Sequence, residues 1–313
     1  MEAIEVNLQE YQNLKMNYFL QFDSPEFNEL NKNKCQELLY LIFRDGRKNR
    51  FGVICGISDQ LMLKIPFSAP HTCFTALQNN TKTSLYHACV RALISYASSK
   101  NLKGIYLTFP PKFYAENHIS NFENAFFANG FKLDNVNLNH QFYLADFNDS
   151  YIANLDIKAR QKLLSALKSG LNFAKVSGDV GVKNTYEIIK INRRENNRPL
   201  HVSLEDVFAV SKIIDVDFFI VSDGDIQLAS AIIYRISNSC VSVVYWGGVK
   251  GSESLKAMNF LSFKIFEYYK SAGFQIIDLG ISTNDSVPNF GLCDFKQSVG
   301  CKVSTKHSFM LLM

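Results

Sequence analysis

The hydrophobic pattern of the chain predicts the same order of elements twice. In each half, short apolar or alternating runs predict strands, and they precede one long segment whose apolar positions follow the helical period. A buried strand, a short helix that ends in Gly-x-Lys and a final strand come next. Ser84 and Ser254 begin the two long helices, Gly130 and Gly300 end the two short ones, and the two separations are equal. The repeat is longer than the roughly 20–50 residues of a solenoid unit, so it predicts two similar α/β domains.

The predicted elements follow the chain in this order. The first half has strands over residues 37–43, 51–57 and 61–67, a helix over 83–100, a strand over 105–109, a helix over 119–129 and a strand over 140–146. The second half has helices over 158–169, 184–192 and 203–214, strands over 217–222, 226–237 and 240–246, a helix over 254–271, a strand over 274–279, a helix over 290–298 and a strand over 303–312. A short polar segment over 149–156 separates the halves, so we expect domains over residues 1–150 and 151–313.

The composition excludes several classes of protein. With 313 residues, 47% hydrophobic and 20% charged, the chain is long and apolar enough for two globular cores. A net charge of +4 suits an anionic substrate but is too small to indicate nucleic-acid binding. The seven cysteines show no Cys-x-x-Cys pair and no metal-finger histidine, so we expect a reduced, cytoplasmic protein without a metal site. We expect neither a signal peptide nor a membrane span, because no run approaches the ~18 apolar residues that a span needs.

Three local patterns in the second half occur in a characteristic order. They are the helix Arg160–Gly170, which ends in Ala-x-Lys-x-Gly, the sequence Asp278-Leu279-Gly280 at the end of the penultimate strand, and Phe295-Lys296 ahead of Gly300. Together they resemble the FemAB-like branch of the GNAT superfamily, the tandem-GNAT acyl and aminoacyl transferases. The chain departs from that family in its basic helix, where only Arg160 and Lys162 remain of the usual cluster. It also has Ser298-Val299-Gly300-Cys301 where aromatic-glycine residues are more usual.

The resemblance implies a fold and a reaction. The fold is α/β (α+β), with two tandem GNAT-like domains, each a mixed, mostly antiparallel sheet flanked by helices. The reaction is N-acyl transfer from an activated donor, either acyl-CoA, an acyl carrier or aminoacyl-tRNA, to an amine acceptor such as a cell-envelope precursor. No tightly bound cofactor is implied, because the donor is a co-substrate. A non-catalytic GNAT-fold protein that binds a ligand or partner remains the alternative.

Two residues are the candidate catalytic groups in the second domain. The resemblance places Lys296 on a short helix beside the groove, where its ammonium would stabilise an oxyanion or hold a donor phosphate. The alternative for Lys296 is an ordinary solvated helix lysine. Asp278 ends a buried strand and would orient or deprotonate the attacking amine. The alternative for Asp278 is a cap for the loop that follows.

The donor is expected at a glycine-rich segment between a strand and a helix. Glycines let a backbone approach an anion, and a helix N-terminus supplies free N–H groups. The candidate donor-binding residues are Trp246, Gly247, Gly248, Lys250, Gly251 and Ser254. The spacing is not the Arg/Gln-x-x-Gly-x-Gly/Ala of acetyl-CoA-dependent relatives, and an ordinary turn is the alternative. The equivalent first-half loop, residues 68–82, has no glycine, so the second half is expected to hold the donor.

The acceptor is expected at two polar segments. Arg193, Arg194 and Arg198 form the densest cationic cluster, and arginine forks match phosphate or carboxylate oxygens. Asp285 and Asn289 lie in a polar loop that would fold over a substrate. Exposed, solvated faces are the alternative for both segments. The expected partners are a small-molecule or precursor amine and tRNA, and the sequence carries no signal for the oligomeric state.

Overall fold

The computed structural model of the chain describes residues 1–14, 16–79 and 81–313. They divide into two compact units, and each unit draws on both halves of the sequence. Unit 1 comprises Met1–Leu138, Thr283–Val287 and Ser304–Met313, and unit 2 comprises Asn139–Ser282 and Pro288–Val303. The division into domains at residue 150 stays a prediction. No helix in the described part of the chain combines the length and apolar content of a membrane span.

Unit 1 is a sheet flanked by helices. Its elements are β1 (Glu2–Val6), α1 (Leu8–Gln12), α2 (Pro25–Leu30), β2 (Glu37–Asp45), β3 (Lys48–Ile57), β4 (Met62–Ile65), β5 (Thr75–Ala76), α3 (Thr83–Ser99), β6 (Gly104–Thr108) and α4 (Glu116–Ala128). The strand order β1-β2-β3-β4-β6 is extended by the last strand of the chain, which is antiparallel to β6. Phe122 on α4 stacks on Phe74 with ring centroids 4.6 Å apart, in a core rich in aromatic residues.

Unit 2 is also a sheet flanked by helices. Its elements are α5 (Tyr151–Asn154), α6 (Ile157–Leu167), β8 (Asn172–Val176), α7 (Gly178–Glu195), α8 (Leu204–Val210), β9 (Val216–Asp223), β10 (Ile226–Arg235), β11 (Cys240–Gly248), α9 (Ala257–Ser271), β12 (Ile276–Ile281) and α10 (Phe290–Ser298). The residues of β7 (Lys132–Tyr143), β14 (Val287–Pro288) and β15 (Lys302–Leu312) divide between the units, and β13 (Thr283–Asn284) belongs to unit 1. The sheet order is β7-β12-β11-β10-β9-β8, and only β11 and β12 are parallel. Phe142 on β7 stacks on Phe266 of α9 at 3.9 Å.

The parallel strands β11 and β12 pair over a short distance only. Their register runs from Cys240 opposite Ile276 to Ser242 opposite Asp278. Beyond those residues β11 continues to Gly248 while β12 continues to Ile281. Beyond this register the two strands do not pair with each other, although each still pairs with its other neighbour. The carboxyl ends of strands are where open α/β sheets commonly bind ligands.

Several predicted boundaries are wrong, and three of the errors affect the site. The long helix α9 begins at Ala257 and not at Ser254, because Lys256 has a positive φ of 55° and interrupts the helix. The glycine pair Gly247 and Gly248 forms the end of β11 and not a loop. Helix α7 runs to Glu195, three residues beyond its predicted end.

Candidate functional site

Unit 2 contains an open pocket of about 700 Å³ at the C-terminal end of β11. Its walls come from α6, the last turn of α7 and the residues after it, the end of β11, residues 250–259, and the start of α10. All of these segments belong to unit 2. The pocket thus gathers parts of two patterns, the basic helix and Phe295-Lys296, together with the glycine-rich segment.

One wall of the pocket is aromatic. Trp246 near the end of β11 and Phe295 on α10 meet edge to face, with ring centroids 5.7 Å apart. Both side chains are partly buried and pack against the core of unit 2. Because aromatic rings offer a large rigid apolar surface at low entropic cost, this pair suits an acyl chain or a base.

Charged side chains surround the same pocket. The cations are Lys162, Arg198, Lys250 and Lys256, and the carboxylates are Glu195 and Glu253. The excess of cations favours an anionic group in the pocket. Asparagine side chains, among them Asn192, Asn259 and Asn289, add hydrogen-bonding groups.

The glycines of β11 allow a side chain of α7 to approach the backbone. Asn192 donates from Nδ2 to the carbonyl oxygen of Gly248 at 2.7 Å. A β-carbon on Gly247 would overlap the Asn192 amide. The glycine pair therefore fixes the end of α7 against the end of β11, which brings residues 192–198 to the pocket.

The N–H groups after the glycine pair are already bonded within the chain. Val249 N–H donates to the Leu228 carbonyl at 2.9 Å, and Lys250 N–H donates to Glu195 Oε2 at 2.8 Å. Gly251 N–H donates to Glu253 Oε2 at 2.7 Å. Because α9 begins only at Ala257, the expected open cradle of loop amides beside a helix N-terminus is not formed. The donor-binding role of the segment stays a prediction.

Ser254 and Gly251 lie outside the pocket lining, whereas four of the six predicted donor residues lie in it. The hydroxyl of Ser254 donates to the Gly251 carbonyl at 2.9 Å, so it closes the turn that precedes α9. Trp246, Gly247, Gly248 and Lys250 line the pocket.

Lys296 is buried and fully hydrogen-bonded. It is 1% exposed, and its ammonium donates to the carbonyls of Leu279, Gly280 and Ile281 at 2.8, 2.9 and 3.1 Å. The positive φ of 73° at Gly280 lets consecutive carbonyls face one cation. A lysine has three N–H donors, so none remains for the oxyanion that the resemblance implies. Burial lowers the pKa of Lys296 to about 8, which leaves the ammonium protonated at neutral pH.

Asp278 stabilises the same turn from the other side. It is 2% exposed, and its Oδ1 accepts hydrogen bonds from the Gly280 N–H and from Nδ2 of Asn139, both at 2.8 Å. This geometry favours the alternative role, in which Asp278 caps the loop that follows its strand. Neither Asp278 nor Lys296 lines the pocket, and both fix the end of β12. Their catalytic roles stay predictions.

A buried histidine lies beside this turn. His140 is 0% exposed, its Nδ1 is 3.0 Å from the hydroxyl of Ser282, and its Nε2 has no hydrogen-bond partner among the described residues. Burial and the Lys296 charge lower the pKa of His140 from 6.5 to about 4. The neutral imidazole is therefore the form that the fold accepts.

We expect His140 to contribute to loss of stability in acid. Its folded pKa lies below its unfolded value, so the unfolded chain binds the proton first as the pH falls. The contribution of the neutral imidazole to the free energy of unfolding is fully present above about pH 6.5 and is lost as the pH falls from about 6.5 to 4. Urea unfolding across this range should show a shallower decline for His140→Gln than for the unchanged protein. His201→Gln, at an exposed position, should leave the slope unchanged. An unaltered slope in His140→Gln would contradict the assignment.

The predicted acceptor residues separate into two groups. Arg198 and Asn289 line the pocket, and Asn289 also caps α10 by accepting from the Leu292 N–H. Arg193 lies over the Tyr245 ring at 4.9 Å, and its Nε is buried without a hydrogen-bond partner in the described residues. Arg194 is exposed outside the pocket lining, and Asp285 belongs to unit 1.

Several pocket residues were missed by the sequence analysis. They are Asn192, Glu195, Glu253, Lys256 and Asn259, and Lys162 was noted only as part of the basic helix. Glu195 follows the arginine pair directly, so a longer α7 would have indicated it. The others lie on segments whose proximity depends on tertiary packing, and the sequence has no local signal for them.

No family model and no curated protein sequence matches the chain. Solved structures match it over almost its whole length. FemX superposes with a TM-score of 0.71 at 13% identity, and the match covers 100% of this chain and 98% of FemX. The C-terminal domain of a putative lysylphosphatidylglycerol synthetase from Agrobacterium fabrum has a TM-score of 0.60 at 11% identity, over 96% of this chain and 90% of that one. A tandem GNAT protein from the clavulanic acid biosynthesis pathway has a TM-score of 0.58 at 7% identity, over 99% of this chain and 98% of that one.

These likenesses show the fold. The chain has a GNAT-like fold of mostly antiparallel strands flanked by helices, so the predicted α/β (α+β) fold class is confirmed. Identities this low carry over neither a reaction nor a substrate. The arrangement as two tandem GNAT domains stays a prediction.

Proposed function

We propose that this protein is an acyl or aminoacyl transferase whose pocket in unit 2 binds an anionic activated donor. The observation that carries the proposal is the pocket itself, which is lined by four cationic residues and by an aromatic pair at the C-terminal end of β11. Its occurrence on a fold shared with FemX and a tandem GNAT protein supports acyl transfer over other reactions.

Direct attack by an amine is the reaction that suits this site. The nitrogen lone pair of the acceptor attacks the acyl carbonyl carbon, and the leaving oxygen or sulfur departs with the electron pair and takes up the proton of the amine. Positioning of the two reactants supplies most of the rate acceleration in such a step. We assign stabilisation of the oxyanion to the side-chain amides of Asn259 and Asn289, because the Lys296 ammonium is already bonded.

The donor and acceptor classes follow from the same surface. The donor is an acyl-CoA, an acyl carrier or an aminoacyl-tRNA that acts as a co-substrate, and the cations hold its phosphates. The acceptor is a primary amine, for which a cell-envelope precursor is a suitable candidate. Of the predicted acceptor residues, Arg198 and Asn289 line the pocket. We assign Arg198 to the donor phosphates and Asn289 to the end of the pocket where the acceptor reacts. The expected cytoplasmic location agrees with the seven free cysteines.

Transfer assays with paired variants test the proposal. Mass gain on a panel of amines is measured with acetyl-CoA, with longer acyl-CoAs and with aminoacyl-tRNA. We expect one donor class to give product, and Lys162→Ala with Arg198→Ala to lower kcat/KM roughly 10- to 100-fold, because two charge contacts to the donor are lost.

The matched control removes two cations outside the pocket. Lys168 is the C-cap residue of the helix that carries Lys162, and Arg194 lies four residues before Arg198 in the sequence, but neither lines the pocket. Lys168→Ala with Arg194→Ala should retain kcat/KM within about twofold. Equal losses in both double variants would contradict a donor site in the pocket.

The non-catalytic alternative has one observation in its favour. Asp278 and Lys296, the two predicted catalytic residues, both bond to backbone of the β12 turn. A protein that only binds its ligand needs no free catalytic group. Saturable binding of a donor in the pocket without product from any amine would favour this alternative.

A further inference from the structure

Two consecutive backbone N–H groups beside the pocket donate hydrogen bonds to carboxylates of the same chain. Lys250 N–H bonds to Glu195 at 2.8 Å and Gly251 N–H bonds to Glu253 at 2.7 Å. Gly251 has a positive φ of 94°, and adjacent N–H groups at such a turn form the concave anion sites known from phosphate-binding loops. In this chain, both N–H groups are occupied by carboxylates of the protein itself.

These two carboxylates bond to backbone N–H groups and not to the cations of the pocket. Four cations line the pocket with Glu195 and Glu253, yet within the described residues neither carboxylate forms an ion pair. Both side chains are exposed, and Glu195 reaches a segment 55 residues further along the chain. Because the contact of an exposed carboxylate contributes little to stability, we expect these two bonds to add little to the stability of the fold.

We propose that Glu195 and Glu253 are specificity-determining residues that keep a diphosphate out of the pocket. A diphosphate that used the Lys250 and Gly251 N–H groups would have to displace both carboxylates and would then meet their negative charge at close range. The donor is accordingly one whose acyl group is carried without a diphosphate, so acyl-CoA is excluded. This inference rests on the proposed function in taking the pocket as the donor site.

Calorimetric titration with inorganic pyrophosphate and with coenzyme A tests the inference. Glu195→Ala with Glu253→Ala frees both N–H groups, and we expect it to bind each ligand about tenfold or more tightly than the unchanged protein. Glu195→Gln with Glu253→Gln removes the charge but keeps an oxygen on each N–H, so its gain should be smaller. Thermal unfolding verifies that the variants are folded.

The matched control is Glu187→Ala with Glu267→Ala. Glu187 lies on the same helix as Glu195, Glu267 lies on α9, and both are exposed residues in local ion pairs outside the pocket lining. This variant has the same change in net charge, and we expect no gain in affinity. Equal affinities in the unchanged protein and in Glu195→Ala with Glu253→Ala would overturn the inference, as would an equal gain in the control.

The titration does not depend on turnover. If no amine is acylated from any donor but the affinity gain appears, the proposed function fails and the exclusion of diphosphates stands. If transfer proceeds efficiently from acyl-CoA in the unchanged protein, the exclusion fails and the proposed function stands.

Discussion

Replacing Lys296 with methionine should lower the free energy of unfolding by about 3 kcal/mol or more. Methionine fills a similar volume but leaves the carbonyls of Leu279, Gly280 and Ile281 without their common donor. Each unsatisfied buried polar group costs about 1–3 kcal/mol, and water reaches this site poorly because Lys296 is 1% exposed. Urea denaturation at pH 7 measures the effect.

The control for this variant is Lys302→Met. Lys302 lies on β15 and is exposed, so the change should stay within about 0.5 kcal/mol. If Lys296→Met lost activity while it kept its full stability, the ammonium would act on the substrate and not on the β12 turn. A stability loss similar to that of Lys302→Met would contradict the structural role directly.

Replacing Trp246 with alanine should lower kcat/KM of the transfer reaction roughly 100-fold, or about 2.7 kcal/mol. The change removes one side of the aromatic wall and its edge-to-face contact with Phe295. Trp246→Phe keeps an aromatic surface and should restore most of the activity. Steady-state kinetics with the active donor, together with thermal unfolding, separate this effect from a loss of fold.

An exposed aromatic residue away from the pocket provides the comparison. Phe127 on α4 of unit 1 is 67% exposed, and Phe127→Ala should leave kcat/KM unchanged. If Trp246→Ala retained activity within a few-fold, the aromatic wall would not be part of the donor site.

The sequence was sufficient for the fold because the elements carry strong local signals. The apolar period of residues 83–100 and the apolar runs over 217–222 and 226–237 predict elements that the structure confirms with small changes at their ends. The order of those elements then indicated the GNAT fold. The pairing of strands was harder to predict, because β15 pairs with β6 across 200 or more residues, from Ser308 opposite Thr108 to Leu312 opposite Gly104, and no local pattern encodes that partner.

The errors near the site have separate physical causes. Helix α7 begins with two glycines and ends in charged, solvated residues, so its apolar period covers only the middle. A β-carbon at Gly181 would crowd Val176 of β8, so this glycine is required by the tight connection between β8 and α7. The late start of α9 depends on the positive φ of Lys256, a conformation that lysine rarely adopts and that its sequence context does not announce.

The sequence predicted which residues line the candidate site, but not which of their polar groups are free to act. Trp246, Gly247, Gly248, Lys250, Arg198 and Asn289 were named from the sequence and do line one pocket. The predicted function of Lys296 assumed a free ammonium, and three backbone carbonyls occupy it. Hydrogen bonds of that kind depend on the exact path of a turn, which hydrophobic periodicity does not determine.

Trp246 is the sole tryptophan of the chain and lies in the pocket, so its fluorescence tests the central claim most directly. The measurement is a titration of the donor that supports transfer, in the unchanged protein and in Lys162→Ala with Arg198→Ala. We predict a saturable change in emission whose midpoint agrees with the KM for the donor, and a midpoint at least about tenfold higher in the double variant. Turnover of a donor that leaves Trp246 emission unaltered at saturation would contradict a donor site in this pocket.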